Sequence, residues 1–143
     1  MPDSATVDEL PAVPFFNAQQ LFASNIQAIS FQNESGIRFL TEYGQYPAPA
    51  NNHELFYHLQ GFSDVGDSYI VAIFPITVPG LNETSDPASA IDGVAYPNMG
   101  DANADWKGYY GAATNLLDAT SPDAFTPSIS QLDALIQSIW VTP

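Results

Sequence analysis

Residues 54–62 read Glu-Leu-Phe-Tyr-His-Leu-Gln-Gly-Phe, and residues 68–76 read Ser-Tyr-Ile-Val-Ala-Ile-Phe-Pro-Ile. The first stretch alternates. Leu55, Tyr57 and Leu59 fall on one side and Phe56, His58 and Gln60 on the other, which is the period-two pattern of a strand. The second is apolar almost without interruption from Tyr69 to Phe74, the form of a central strand covered on both faces. Between them, Ser63-Asp64-Val65-Gly66-Asp67 offers a glycine for positive φ, as a hairpin loop requires. The two stretches therefore predict an antiparallel hairpin.

Upstream, residues 26–31 and 37–43 are β-like runs around the turn-type cluster Asn33-Glu34-Ser35-Gly36. Ile37, Phe39, Thr41 and Tyr43 share one face of the second run, and Arg38, Leu40 and Glu42 share the other. Asn17 is placed to cap a short helix over residues 18–22. Residues 44–52 carry Pro47 and Pro49, which cannot donate to a ladder, and so form a loop.

Downstream, residues 77–100 hold Pro79, Pro87, Pro97 and three glycines. This is a long irregular loop of the kind that often carries function. The period then becomes helical. Trp106, Tyr109, Tyr110, Ala113, Leu116 and Leu117 make one apolar face, with Asp101 or Asn103 as cap. A second stripe, Ile129, Leu132, Leu135, Ile136, Ile139 and Trp140, follows Thr126-Pro127, which reads as an N-cap with Pro at the first position. The fold class expected is α+β, an antiparallel β-meander sheet packed with C-terminal α-helices. Residues 1–14, rich in Pro and acid, read as an arm or linker, and 15–143 as a single domain.

Charge narrows function more than any motif. Two basic residues, Arg38 and Lys107, face sixteen acids, for a net charge of −14. Nucleic acid, anionic membrane surfaces and phosphorylated ligands each call for clustered Lys or Arg, so the expected partner is a neutral or cationic protein or carbohydrate. There is no cysteine, which removes thiolate chemistry and Cys-based metal sites. Charged residues are only 13% of the chain, against roughly 25% in average proteins. Asn, Gln, Ser and Thr supply the remaining polarity, a balance that suggests an extracellular or cell-surface setting. Met1-Pro2-Asp3-Ser4 shows no positive or apolar leader segment; a mature domain whose leader was replaced by Met1 and a cytoplasmic protein would both read this way, and the composition favours the first.

The best motif for chemistry is Asp101-Ala102-Asn103-Ala104-Asp105, whose oxygens at i, i+2 and i+4 match the opening of a calcium loop. The match then stops: Trp106 stands where the turn glycine belongs, and Ala112 where a bidentate Glu belongs. The alternative is an acidic helix start that complements the helix dipole. Asp101, Asn103 and Asp105 are thus the candidate Ca²⁺ ligands, and no other cofactor is expected. His53 and His58 fall on opposite faces of a strand, so a shared metal is not expected; a polar loop residue and a hydrogen-bonded strand residue are. No Gly-x-Ser-x-Gly elbow and no glycine-rich phosphate loop occur. Candidate ligand-binding residues are Tyr43, Tyr46, His53, Glu54 and Tyr96, which border the two loops. Tyrosines beside amides and acids are usual material of sugar- and protein-binding surfaces.

Residues 51–62, with Tyr69-Ile70-Val71-Ala72-Ile73-Phe74-Pro75 and the C-terminal residues 126–138, resemble a recurring domain of uncharacterised bacterial secreted proteins and lipoproteins. The resemblance implies a surface location behind a Pro- and Asp-rich tether. It implies no activity and no catalytic residue. The function expected is a non-enzymatic extracytoplasmic binding domain, with Ca²⁺ as a candidate stabiliser. Two alternatives stand beside it: a structural subunit assembling through its N-terminal arm, and a small hydrolase using Glu42 and Glu54.

Overall fold

The computed structural model describes residues 18–32, 34–63 and 69–140, with backbone only at 34, 62 and 63. Four long strands come first: β1 (Gln19–Phe31), β2 (Glu34–Gly44), β3 (Phe56–Ser63) and β4 (Tyr69–Pro75). They form one antiparallel sheet in the order β1-β2-β3-β4. A two-residue ladder, β5 (Ala90–Ile91) with β6 (Val94–Ala95), follows. Then come α1 (Trp106–Ala119), a 3-10 turn at Pro122–Ala124 and α2 (Ile129–Gln137). The fold is α+β, as the alternating and then helical periods predict.

Each expected strand is present, and β3 pairs with β4 as the hairpin pattern requires. Three local expectations are corrected. Residues 18–22 are not helical: β1 begins at Gln19 and runs thirteen residues. The alternation is disguised by register shifts between Gln20 and Phe22 and between Ser24 and Gln27, because a bulge moves the later side chains out of phase. β4 is not central. It is an edge strand with Ile73 42% exposed, so its apolar run reflects β-propensity as much as burial. Third, both helix caps lie elsewhere. Asp105 caps α1, accepting from the Gly108 N–H, and Ser128 caps α2, accepting from Ser130 and Gln131. The Thr126–Pro127 bond before α2 is cis. The Asn17 position, the arm 1–14 and most of the 63–67 loop lie outside the described residues.

Both helices lie on one face of the sheet. Tyr109, Ala113 and Leu117 of α1, at spacing four, and Ile129, Leu132 and Ile136 of α2 enter the same core as Phe22, Leu40, Tyr57 and Leu59. Alternation puts Arg38, Leu40 and Glu42 toward this core and Phe39, Thr41 and Tyr43 away from it. Gly36 and Gly61 are opposed across β2 and β3. A Cβ at Gly36 would run into the Gln60 carbonyl oxygen, so this crossing needs a residue without a side chain. The loop over 77–100 is irregular except at the β5–β6 ladder and at single bridges from Thr77 to Thr126 and from Asn82 to Asn51. Its turn, Asp92-Gly93, has φ of 48° and 79°, the geometry of a tight primed turn. Among the described residues, no helix is long and apolar enough to cross a membrane.

Candidate functional site

Tyrosine hydroxyls tie the 44–52 loop to α1 and to the 77–100 loop. Tyr109 Oη accepts from the Ala50 N–H at 3.0 Å. Tyr110 Oη accepts from the Ala48 N–H and donates to the Ala48 carbonyl at 3.0 and 2.8 Å. Tyr96 Oη donates to the Pro47 carbonyl at 3.0 Å. A proline-rich segment has few N–H groups for a ladder, so side-chain hydroxyls take over the pairing. Burial raises the pKa of all three hydroxyls, so they stay protonated.

Asn51 and Asn52 lock the two loops together. Asn51 Oδ1 accepts from the Glu54 N–H, and its own N–H donates to Glu42 Oε1 at 2.7 Å. Asn52 Oδ1 accepts from the Val78 N–H, while Nδ2 donates to the Val78 and Leu81 carbonyls and to Glu83 Oε1. These amides satisfy backbone groups that would otherwise be orphaned in buried loops. The pair Glu42 and Glu54 does not share an open site. Glu42 is 1% exposed and faces the core, whereas Glu54 is exposed.

The five candidate contact residues separate. Tyr96 bonds the residue after Tyr46, and Tyr46 itself is 66% exposed. Tyr96 also packs edge-on against Trp106 and Tyr109 at 5.3 and 5.2 Å. His53 and Glu54 share one exposed turn. Tyr43 sits apart, stacked on Phe56 at 5.8 Å on the sheet face away from the helices. His58 is buried on that same face, between Phe39 at 4.9 Å and Phe56 at 6.0 Å. Neither of its ring nitrogens has a hydrogen-bond partner, which corrects the expectation of a hydrogen-bonded strand histidine. Burial lowers its pKa and so favours the neutral ring.

The candidate calcium residues form a turn and a cap. Asp101 Oδ1 accepts from the Asn103 N–H at 2.9 Å, and Asp105 Oδ1 from the Gly108 N–H at 2.8 Å. Among the described residues, no group of three or more acids or histidines is placed to share a metal ion.

A different cluster is built from residues distant in sequence. Asn25, in the second bulge of β1, has φ of 53°, a left-handed conformation that Asn tolerates. Its N–H donates to Asp118 Oδ1 at 2.6 Å, and its side-chain amide donates to the Leu117 carbonyl at the end of α1. Its own carbonyl accepts from Arg38 Nη1. Arg38 Nε and Nη2 donate to the two Asp133 oxygens, each at 3.0 Å, and Nη2 also reaches Gln27. This is the two-pronged guanidinium–carboxylate geometry. Tyr57 Oη completes it, donating to Asp133 at 2.8 Å.

Beside this hub lies an open cleft of about 690 Å³ between the β1 bulge and the C-terminal end of α1. Its lining includes Ser24, Asn25, Arg38, Thr114, Asp118 and Thr120. Ser24 is 1% exposed, yet neither its Oγ nor the Asn25 Oδ1 has a partner. Buried polar atoms are rarely left so, and a ligand or ordered water is the usual reason when they are. The wall of the cleft therefore contains two buried oxygens without a partner, one paired cation and one carboxylate. No protein-family model, curated protein or solved structure matches the chain.

None of the cleft residues was singled out by sequence reading. The one available signal was Arg38, which shares a strand face with Leu40. A cation on an apolar face needs an acid partner, but the partner Asp133 lies 95 positions away.

Proposed function

We propose that the chain is a non-enzymatic binding domain whose ligand, small, polar and neutral or cationic, enters the cleft between the β1 bulge and α1. The unpartnered Ser24 Oγ at its wall carries this reading: a hydroxylated or amide-bearing ligand would supply the missing partner. The paired state of Arg38 and the nearby Asp118 disfavour anions. An extracytoplasmic setting is supported by the −14 charge and the scarcity of Lys and Arg, and by the resemblance to bacterial secreted domains. Tyr46, exposed beside the Pro47 carbonyl that Tyr96 holds, is the second contact region this reading allows.

The test is a melting panel of neutral saccharides, amino sugars and short peptides at millimolar concentration. A ligand that binds only the native state raises the midpoint, by about 2.7 kcal/mol of stability at a hundredfold excess over Kd. At least one class should raise it, and Ser24→Leu, which fills the wall, should abolish the rise. A panel with no shift, or a shift indifferent to Ser24→Leu, removes the reading. Calcium is checked in the same assay. If Asp101, Asn103 and Asp105 hold Ca²⁺, millimolar Ca²⁺ raises the midpoint and Asp101→Ala cancels the effect; an unchanged midpoint leaves the three residues as a turn and a cap.

A further inference from the structure

The groups that line the cleft beside Arg38 share one hydrogen-bonding sense. Asn25 gives its side-chain N–H to the Leu117 carbonyl, so the atom left without a partner is Oδ1, which can only accept. Thr120 Oγ1 donates its proton to the Leu116 carbonyl at 2.7 Å, so it too has only lone pairs to offer. Asp118 takes the Asn25 N–H on Oδ1 at 2.6 Å, and among the described residues nothing donates to its Oδ2. Arg38, the one cation at this wall, has all three guanidinium nitrogens engaged, with Asp133, Gln27 and the Asn25 carbonyl. Ser24 Oγ, in a residue 1% exposed, has no partner and accepts as readily as it donates. What the cleft lacks is a donor.

The field has the matching sign. The cleft adjoins the C-terminal end of α1, where the helix dipole is negative, and no basic residue stands in the last turn of that helix. Asp118 adds a full negative charge in that same turn. A carboxylate at this end of a helix is unfavourable, and an asparagine oxygen there would accept the Asn25 N–H as well. The charge of Asp118 is therefore surplus to holding the β1 bulge. Asp133 cancels the charge of Arg38, and the −14 of the whole chain draws cations toward an acidic cleft.

We infer that the cleft recognises a protonated primary amine, whose ammonium group donates to Asp118, Thr120 Oγ1 and Asn25 Oδ1, with Ser24 Oγ as a further acceptor. The inference rests on the cleft reading above and narrows it. An ammonium brings three donors and a positive charge together; a neutral sugar or amide brings donors without the charge, and a quaternary ammonium brings the charge without donors. Asn25 Oδ1 and Ser24 Oγ are closed to solvent, so the bulge shifts outward slightly to meet the ligand, and the Ser24 to Gln27 amides report it.

The experiment titrates the isotopically labelled full chain, in mildly acidic buffer, with two matched pairs of probes: glucosamine against N-acetylglucosamine, and ethanolamine against choline. The first pair differs in charge on one ring, the second in N–H donors at equal charge. Glucosamine and ethanolamine should move the amide resonances of Ser24 to Gln27 and of Asp118 to Thr120 saturably, and their partners should not at equal concentration. Raising the ionic strength severalfold should weaken the binding. Asp118→Asn, which keeps an acceptor for the Asn25 N–H, should weaken it by about tenfold or more, the effect of losing a charge-assisted hydrogen bond, without lowering the melting midpoint. The inference alone falls if N-acetylglucosamine or choline matches its partner, if Asp118→Asn binds the amines as the parent does, or if neither amine binds while a neutral compound of the melting panel does so in a Ser24-dependent way. If no compound of either set binds, the cleft reading falls with it.

Discussion

Asp133→Ala is expected to lower the unfolding free energy by about 3–5 kcal/mol, the cost of stranding a buried charge, and to drop the melting midpoint by roughly 10 °C in a chain of this size. Arg38 is largely buried, and Asp133 meets both of its outward nitrogens at 3.0 Å. Removing the carboxylate leaves the guanidinium with only the Asn25 carbonyl and Gln27, and it strands the Tyr57 hydroxyl as well. An exposed pair would cost at most about 1 kcal/mol, so a loss that small would place the pair functionally at the surface. The double variant Arg38→Met/Asp133→Leu separates charge from packing. It should recover most of the lost stability, because an apolar pair of similar volume often replaces a buried ion pair at little cost. The same double variant should alter the β1 bulge, since Arg38 holds the Asn25 carbonyl from inside. Chemical shifts at Ser24 to Gln27 would report that change, whereas Asp133→Ala alone should move them less.

The strands and helices were legible wherever side-chain period survived. Residues 54–62 alternate cleanly, and β3 lies there; the helical stripe from Trp106 is α1. β1 was hidden at its start because two bulges shift the phase at Leu21 and at Asn25. A bulge is a property of a pair of strands, and one strand's sequence does not contain it. The exposure of β4 was equally out of reach. A run such as Ile70-Val71-Ala72-Ile73-Phe74 suits a central strand, but strand order depends on pairings between distant segments. The caps differ for a smaller reason: Asp101, Asn103 and Asp105 are all competent acceptors, and α1 begins at Trp106, which leaves Asp105 to meet the Gly108 N–H.

The candidate cleft was illegible because its groups are ordinary in isolation. Ser24, Asn25, Thr114 and Asp118 are common polar residues with no motif spacing, and a packing of β1 against α1 brings them together. In sequence Tyr96 reads as contact material, and Tyr109 and Tyr110 as part of the apolar face of α1, where Tyr109 is indeed buried in the core. All three hydroxyls also bond proline-rich backbone, a role that follows only once the loop lies across the helix. The asparagine pair at 51 and 52 had the same fate: composition marked it as loop, and the fold makes it the lock between loops.

Glu42→Gln is expected to stabilise the protein by several kcal/mol at pH 8 and by almost nothing at pH 4. Burial is the largest influence on the Glu42 carboxyl and raises its pKa from 4.5 to about 8; the Asn51 N–H pulls it down, and Glu54 adds a further upward push. An acid with a raised native pKa holds its proton in the fold and releases it on unfolding. Between pH 4.5 and 8 the native state therefore binds more protons than the unfolded chain, and stability falls as pH rises through that window. A shift of this size corresponds to at most roughly 5 kcal/mol, fully present below the ordinary carboxyl pKa and lost above the raised one. The glutamine side chain would keep an oxygen for the Asn51 N–H, now 2.7 Å from Oε1, while carrying no ionisable group. Melting curves between pH 4 and 9 should show the parent midpoint declining across the window and the variant declining much less. The remaining carboxylates also repel one another more strongly as pH rises, which adds to the parent's slope but is common to both proteins, so the difference between the two curves isolates Glu42. Two parallel curves would mean that water reaches the carboxyl and that it ionises in place. Asn51→Pro, which removes the same N–H while leaving the acid, should steepen the decline, because the charged form would lose its hydrogen bond and nothing would offset burial.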